Sequence, residues 1–272
     1  MHETITSVHN SKIKNLKKLA KASERKAQNM FVIEGLRETV LAYRAGYQIE
    51  SLFVCEEIFR EQKEYSLKEI RNMKSVPEGR AGEIRISKAV YDALAYRETT
   101  EGVIATAVPK PLLLSELKLP SNPLILVIEA VEKPGNLGAM LRTCDAAGAD
   151  AVIICDARTD VYNPNVIRSS IGTVFTNQIA VCETSEAVRF LKANNITIYA
   201  AELSATQFHY QQNFKAASAV VVGTEATGLS KEWINAADEK IKIPMRGKID
   251  SLNVSVSAAI LLFEAQRQRD SA

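Results

Sequence analysis

Leu124-Ile-Leu-Val-Ile-Glu-Ala-Val-Glu-Lys-Pro-Gly-Asn-Leu-Gly-Ala-Met-Leu-Arg-Thr143 decides the fold. Leu124–Ile128 is a continuous apolar run, the pattern of a strand buried on both faces of a parallel sheet. A glycine-containing loop follows. The spacing then predicts a helix from Leu137 to Ala147 that stops at Gly148. A second apolar run, Ala151–Cys155, comes next. The alternation continues downstream. Ile196–Ala200 and Ala219–Val222 read as buried strands and Lys240–Ile243 as a short last one, with helices over Glu183–Ala193 and Ser230–Ala237. This is an α/β domain built on a parallel sheet, and ligands on such sheets sit beyond the carboxyl ends of the strands.

The first part of the chain has its own alternation. Ser11 to about Ala22 reads as a helix, with Ile13, Leu16, Leu19 and Ala20 on one face and lysines around the rest. Phe31–Ile33, Ser51–Cys55 and Gly102–Val108 read as strands, and Leu36–Ala45 as a helix ended by Gly46. Pro109, Pro111, Pro120 and Pro123 crowd into fifteen residues, a density that disfavours regular structure. The expected organisation is therefore a smaller α/β domain over 1–108, a proline-rich linker over 109–121 and the parallel-sheet domain over 122–272.

The bulk numbers exclude several classes. With 46% hydrophobic and 24% charged residues, and no apolar run of membrane-spanning length, the composition is that of a globular, cytoplasmic protein. Cys55, Cys144, Cys155 and Cys182 are scattered and read as reduced thiols in or near a core. His2, His9 and His209 share no ligand spacing with them, so no structural metal is expected. The formal charge of +2 is unevenly spread. Residues 1–30 hold seven basic and two acidic side chains, a local charge of +5 that leaves −3 for the rest. A basic element on a near-neutral body suits an anionic polymer, although a charge run alone is also the mark of a solvated helix face.

Three strand-to-helix junctions carry chemistry. In the first, Gly135 and Gly138 allow close backbone approach, Asn136 is placed to cap the helix, and Arg142 follows one and a half turns in. Taken alone, Arg142 reads equally as an ordinary surface arginine. The second, Gly223-Thr-Glu-Ala-Thr-Gly-Leu-Ser230, sets a carboxylate between two glycines directly after a buried strand. The third is Ile243-Pro-Met-Arg-Gly-Lys-Ile-Asp-Ser-Leu-Asn-Val-Ser-Val256. There a turn-rich loop delivers Ser251 and Asn253 to a helix, Val254–Phe263, that is apolar nearly all round. Such a helix is normally covered on every side, and its polar entrance is costly to bury without partners. An N-cap with small packing residues explains it as well as a ligand site does. No Gly-x-Gly-x-x-Gly follows a strand and no Gly-x-x-x-x-Gly-Lys-Ser/Thr occurs, which argues against a dinucleotide-dependent oxidoreductase or a P-loop enzyme.

In order and spacing, the three junctions together resemble the SpoU-type (TrmH-like) RNA ribose 2′-O-methyltransferases of the SPOUT class. The match lies in Asn136-Leu-Gly-Ala-Met-Leu-Arg142, Gly223-Thr-Glu-Ala-Thr-Gly-Leu229, and Ile243-Pro-Met245 through Ser251-Leu-Asn-Val-Ser-Val256. Asn163-Pro-Asn-Val-Ile-Arg-Ser-Ser-Ile-Gly172 looks like the family's polar loop after the second strand, and Phe31-Val-Ile-Glu-Gly35 resembles, more loosely, its N-terminal substrate-binding domain. The resemblance implies a catalytic domain over 122–272 with a deep trefoil knot, binding S-adenosylmethionine in the knotted cleft. It also implies a homodimer that buries the C-terminal helix.

Carried over residue by residue, the resemblance makes Arg142 the central catalytic residue, with Asn136, Glu225, Ser251 and Asn253 around it. Gly223, Ile243 and Leu252 contact the cofactor, with Leu203, Val222, Pro244, Met245 and Val256 as further wall residues. Arginine is effectively always protonated, so Arg142 is expected to clamp a phosphate and stabilise developing alkoxide charge rather than act as a base. A phosphate oxygen or Glu225 is then the proton acceptor. RNA binding is expected from Lys12, Lys14, Lys17, Lys18, Arg25 and Lys26, with Arg168 nearer the site. Ribosomal RNA is the favoured substrate. Transfer RNA, a role in antibiotic resistance, and a non-catalytic RNA-binding or ribosome-assembly role on the same scaffold stay open.

Overall fold

The computed structural model describes residues 4–60, 64–71, 83–96, 101–224 and 227–271. The chain divides into two compact units. One is Met1–Lys110 together with Val161–Thr176, and the other is Pro111–Asp160 together with Asn177–Ala272.

The first unit begins with α1 (Ser11–Lys18), capped by Asn10, whose side chain accepts from Lys12 N. The helix read through to Ala22 breaks after Lys18 and restarts as α2 (Ala22–Gln28). The break is held by Arg25, whose Nη1 donates to the carbonyls of Leu19 and Ala20, both at 2.8 Å. After β1 (Phe31–Glu34) come α3 (Leu36–Arg44), β2 (Ile49–Val54), α4 (Leu67–Arg71), β3 (Glu83–Arg85), α5 (Lys88–Asp92) and β4 (Val103–Ala107). The sheet order is β1-β4-β2-β3; β4 is antiparallel to both neighbours and β2–β3 is parallel. Ile13, Leu16 and Leu19 pack with Val32, Phe53, Val90, Tyr91 and Ile104 to form one core.

The second unit runs β5 (Leu124–Glu129), α6 (Pro134–Ala147) and β6 (Ala151–Cys155). The chain then makes α7 (Pro164–Ser169), inside the stretch that belongs to the first unit, before β7 (Ile179–Cys182), α8 (Thr184–Ala193), β8 (Thr197–Ala201), β9 (Gln207–Phe208), β10 (Ser218–Val222), α9 (Lys231–Ala236), β11 (Glu239–Lys242) and α10 (Val254–Asp270). Seven parallel strands order as β7-β6-β5-β10-β8-β11-β9. Every residue of β5, β6 and β10 is buried, as their unbroken apolar runs require. Strand order reverses between β5 and β10, and sheets of this kind hold ligands beyond the carboxyl ends of their strands.

Several boundaries move for identifiable reasons. α6 starts at Pro134, because proline has no N–H to lose at the first helical position and its φ is already helical. Asn136 therefore lies inside the first turn rather than capping it, and Lys133 is the N-cap. The polar stretch after Asn163 is helical, with Asn163 capping and Pro164 first. The proline-rich stretch is not a bare linker. Leu112 O accepts from Val181 N at 2.8 Å, and Leu114, Leu117 and Leu119 pack on the core of the second unit. All four cysteines are free thiols, and Cys55, Cys144 and Cys155 are buried. Burial pushes the Cys144 thiol well above its ordinary range.

The stretch 161–176 completes the first unit's second core. The Phe31 ring stacks on Tyr162 at 4.4 Å between centroids and on Phe175 at 6.0 Å. Tyr47 meets Phe175 edge-on at 5.1 Å, and its hydroxyl lies 3.3 Å from that of Tyr162. Among the described residues no helix is long and apolar enough to cross a membrane, and no cluster of three or more histidine, cysteine or acidic side chains is arranged to hold a metal.

Candidate active site

The loops after β8, β10 and β11 and the start of α10 enclose a cavity of about 410 Å³ in the second unit. Its walls include Leu203, Val222, Gly223, Ile243, Met245, Ser251 and Leu252, all singled out from the sequence. Pro244 and Val256 are not among the lining residues. Val256 is 46% exposed, because α10 turns Val254, Ser257 and Leu261 inward at a spacing of three and four. The sequence reading missed Ser257 and Leu261, which that periodicity identifies once Val254 is known to face in. Ala201, Glu202, Ile241 and Lys242 join the lining from the strand ends.

Two irregular segments form the mouth. After β10 the chain closes a narrow turn, with Thr224 N donating to Gly228 O at 3.2 Å and Gly228 N to Thr224 O at 3.0 Å. The Thr224 and Thr227 hydroxyls are 2.7 Å apart. Gly223 has no room for a side chain: a Cβ there would lie 2.3 Å from Gly228 O. The far end of this turn is fixed from below. Buried Glu129, at the end of β5, accepts from Ser230 N at 2.8 Å, and Ser230 caps α9. Trp233 Nε1, on α9, donates to Thr184 Oγ1 at 3.2 Å. The second segment, 243–252, makes no backbone-to-backbone hydrogen bond among the described residues. Its main-chain donors and acceptors stand beside apolar walls, where such groups need partners.

The helix starts bring the first and third motifs together. Asn253 caps α10, its Oδ1 accepting from Ser255 N at 3.0 Å, while its Nδ2 donates to Asn136 Oδ1 at 3.2 Å. Ser251 Oγ donates to Asp250 Oδ1 at 3.2 Å. Arg142 is exposed on α6, does not line the cavity, and has no hydrogen-bond or ion-pair partner among the described residues. Glu225 lies outside the described residues.

The basic residues of the first unit divide into two groups. Lys12, Lys14, Lys17, Lys18 and Lys26 are exposed. Arg25, expected among the phosphate contacts, is 4% exposed and spends its guanidinium on the end of α1. It is a structural residue, since a guanidinium buried on carbonyls cannot reach a phosphate. Arg168 is exposed, and its Nη1 donates to Tyr96 O at 3.4 Å.

Comparison with known proteins places this geometry. The model of the SpoU rRNA Methylase family matches residues 123–263, and that of the MRM3-like substrate binding domain matches residues 10–105. The chain belongs to the SpoU rRNA methylase family. It is 30% identical over 262 residues to RlmP of Bacillus subtilis, a 23S rRNA (guanosine(2553)-2′-O)-methyltransferase, covering 95% of this chain and 97% of the relative. RlmB of Vibrio vulnificus, a 23S rRNA (guanosine-2′-O-)-methyltransferase, is 34% identical over 191 residues, which span 68% of this chain and 77% of that one. The crystal structure of an RNA 2′-O ribose methyltransferase superposes with a TM-score of 0.84 at 38% identity, covering 98% and 99% of the two chains. The AdoMet-bound rRNA methyltransferase of Sinorhizobium meliloti gives 0.86 at 25% identity, covering 97% of each.

Proposed function

We propose that the chain methylates a ribose 2′-hydroxyl of ribosomal RNA with S-adenosylmethionine, the second unit carrying the chemistry and the first presenting the RNA. The observation that carries this reading is the cavity. Two of the motif loops, after β10 and β11, meet the loop after β8 there, with apolar walls on one side and, on the other, the main chain of 243–252, which makes no backbone-to-backbone hydrogen bond among the described residues. That donor set fits the cofactor: flat apolar walls suit an adenine ring, and main-chain N–H and C=O groups suit its edge. When bound, the cofactor would supply a methyl group on a sulfonium whose sulfur departs as a neutral thioether, with no need of acid assistance.

The chain's own residues then align and stabilise. Gly223 lets the β10 turn close tightly, and Leu203, Met245 and Leu252 cover the cofactor and exclude water. The Asn136–Asn253 pair locks the start of α10 to α6, so Ser251 and Leu252 are presented at a fixed position. Arg142, exposed on α6, holds the phosphate next to the reacting ribose and stabilises negative charge as it develops on the 2′-oxygen. The 2′-hydroxyl proton passes to that phosphate or to Glu225. A trefoil knot in 122–272 accompanies this reading, as does a location in the cytoplasm, where ribosomes are.

The homodimer reading is supported by α10. Its inner face is buried on the chain, while Val256 and Phe263, 46% and 50% exposed, stand seven apart on another face. Phe263→Asp should yield a monomer by light scattering; a persistent dimer would move the interface elsewhere. The activity is tested by labelled-methyl transfer to ribosomal RNA from cells lacking the gene, with the modified nucleotide then mapped. Absence of transfer to that RNA, with transfer to transfer RNA instead, would reassign the substrate.

A further inference from the structure

The first unit holds a second cavity, about 280 Å³, that the methyl-transfer reading does not use. Its floor is apolar: Leu16 from α1, Val32 from β1 and Ile104 from β4, between 2% and 7% exposed. Its rim is polar and aromatic, formed by Lys17, Glu34 and Tyr96. Tyr96 is 42% exposed, a large ring left at the surface beside a buried apolar floor.

The position of Tyr96 is fixed through its main chain on both sides. Its N–H donates to Glu34 Oε2 at 2.9 Å, and its carbonyl accepts from Arg168 Nη1 at 3.4 Å. Burial and the Glu34 carboxylate raise the pKa of the Tyr96 hydroxyl above its ordinary value. Lys17 stands on the same rim, on a helix whose exposed face also carries Lys12, Lys14 and Lys18.

Size and charge select the occupant. The volume lies just below the range of about 300–1,000 Å³ that suits drug-sized ligands. It therefore has room for one ring rather than a peptide. Lys17 stands on the rim, and Arg168 donates to the main-chain carbonyl of Tyr96, whose backbone anchors the ring. Single-stranded RNA is read in this way, by splayed bases stacked on aromatic rings while cations hold the backbone. We propose that this cavity takes one unstacked nucleobase of the RNA substrate, stacked on Tyr96 over the floor of Leu16, Val32 and Ile104, with the neighbouring phosphates on Lys17 and Arg168. The base is a recognition nucleotide, distinct from the one methylated in the second unit. The inference rests on the reading of the substrate as RNA.

The test is equilibrium binding of the full chain to deproteinised ribosomal RNA across a salt series. Tyr96→Ala should weaken binding about 10- to 100-fold, the worth of one stacked base. Its dependence on salt should not change, because no phosphate contact is lost. Tyr96→Phe should bind within about twofold of the natural protein, because stacking needs the ring and not the hydroxyl. Lys17→Ala should flatten the slope of log affinity against log salt by about 0.7–0.9. Both positions lie at the rim, and unchanged melting temperatures confirm that the three variants are folded. If the natural protein binds the RNA and Tyr96→Ala binds it equally well, the cavity is not a base pocket. If the natural protein neither binds nor methylates the RNA, the RNA reading itself falls.

Discussion

Replacing Gly223 with alanine puts a methyl group where main chain already stands. The added Cβ would lie 2.3 Å from Gly228 O, 2.5 Å from Gly228 C and 2.7 Å from Leu229 N. Ordinary contact begins near 3.4 Å, so the turn must open by about 1.1 Å. No side chain can rotate away to relieve this, because all three neighbours are backbone. Opening by that amount breaks the paired Thr224–Gly228 hydrogen bonds, now 3.2 and 3.0 Å. Two such bonds contribute about 1–3 kcal/mol net, and forced repacking costs about 1–3 kcal/mol more. Since Gly223, Thr224, Gly228 and Leu229 all line the cavity, S-adenosylmethionine affinity should fall at least about tenfold. Gly228→Ala is the control. A Cβ there meets nothing within 4 Å, but φ is +68°, so the expected cost is only about 1–2 kcal/mol of backbone strain. Calorimetric titration with the cofactor and thermal melting of both variants check the argument. Natural affinity and melting temperature in Gly223→Ala would refute it.

Three further outcomes follow from the geometry. Arg142→Ala should lower methyl-transfer turnover by about 10²–10³, as for loss of a key electrostatic donor, while cofactor affinity stays within about twofold, because Arg142 does not line the cavity; near-native turnover in the transfer assay would remove it from the chemistry. Arg269 donates to the carbonyls of Phe214, Asn122, Pro123 and Ala216 at 2.8–3.1 Å, tying the end of α10 to the entries of β5 and β10, so Arg269→Met should cost about 2–4 kcal/mol in denaturant unfolding. The carboxyl of Glu264 is held down to about 2, from an ordinary 4.5, chiefly by its hydrogen bond from Arg267 and also by that from Gln268. Because the folded value is the lower one, this stabilisation is full above about 4.5 and is lost as pH falls toward 2. The melting-temperature gap between the natural protein and Glu264→Gln should therefore close across that window, and a gap constant down to pH 2 would contradict the assignment.

What the sequence disclosed, and what it hid, follows from the range of the interactions. β5, β6 and β10 are legible because burial on both faces leaves no polar position in the run. The entrance to α10 is legible as a polar cluster, and Asn253 is both a helix cap and a partner of Asn136, which lies 117 residues earlier. The starts of α6 and α7 were legible in principle, since Pro134 and Pro164 are each first-turn prolines. The break between α1 and α2 was not, because it depends on a side chain from the next helix reaching back to two carbonyls. Val256 was assigned to the cavity by motif position, but only the rotation of α10 against the sheet decides which residues face in. The stretch 109–121 reads as a linker because prolines dominate local propensity, whereas Leu114, Leu117 and Leu119 within it answer to a core formed elsewhere.

The aromatic cluster of the first unit has a consequence for inheritance. Phe31 is fully buried against rings that the gene encodes about 130 and 145 codons later, inside the stretch matched by the methylase family model. A recombination event that exchanged only the first 110 codons would separate Phe31 and Tyr47 from Tyr162 and Phe175. Exposing one large ring in this way forfeits about 1.5–3 kcal/mol. The first unit is therefore not a cassette. Its two coding stretches must change together, and a chimera between relatives will stand only if it carries 161–176 along with the N-terminal segment.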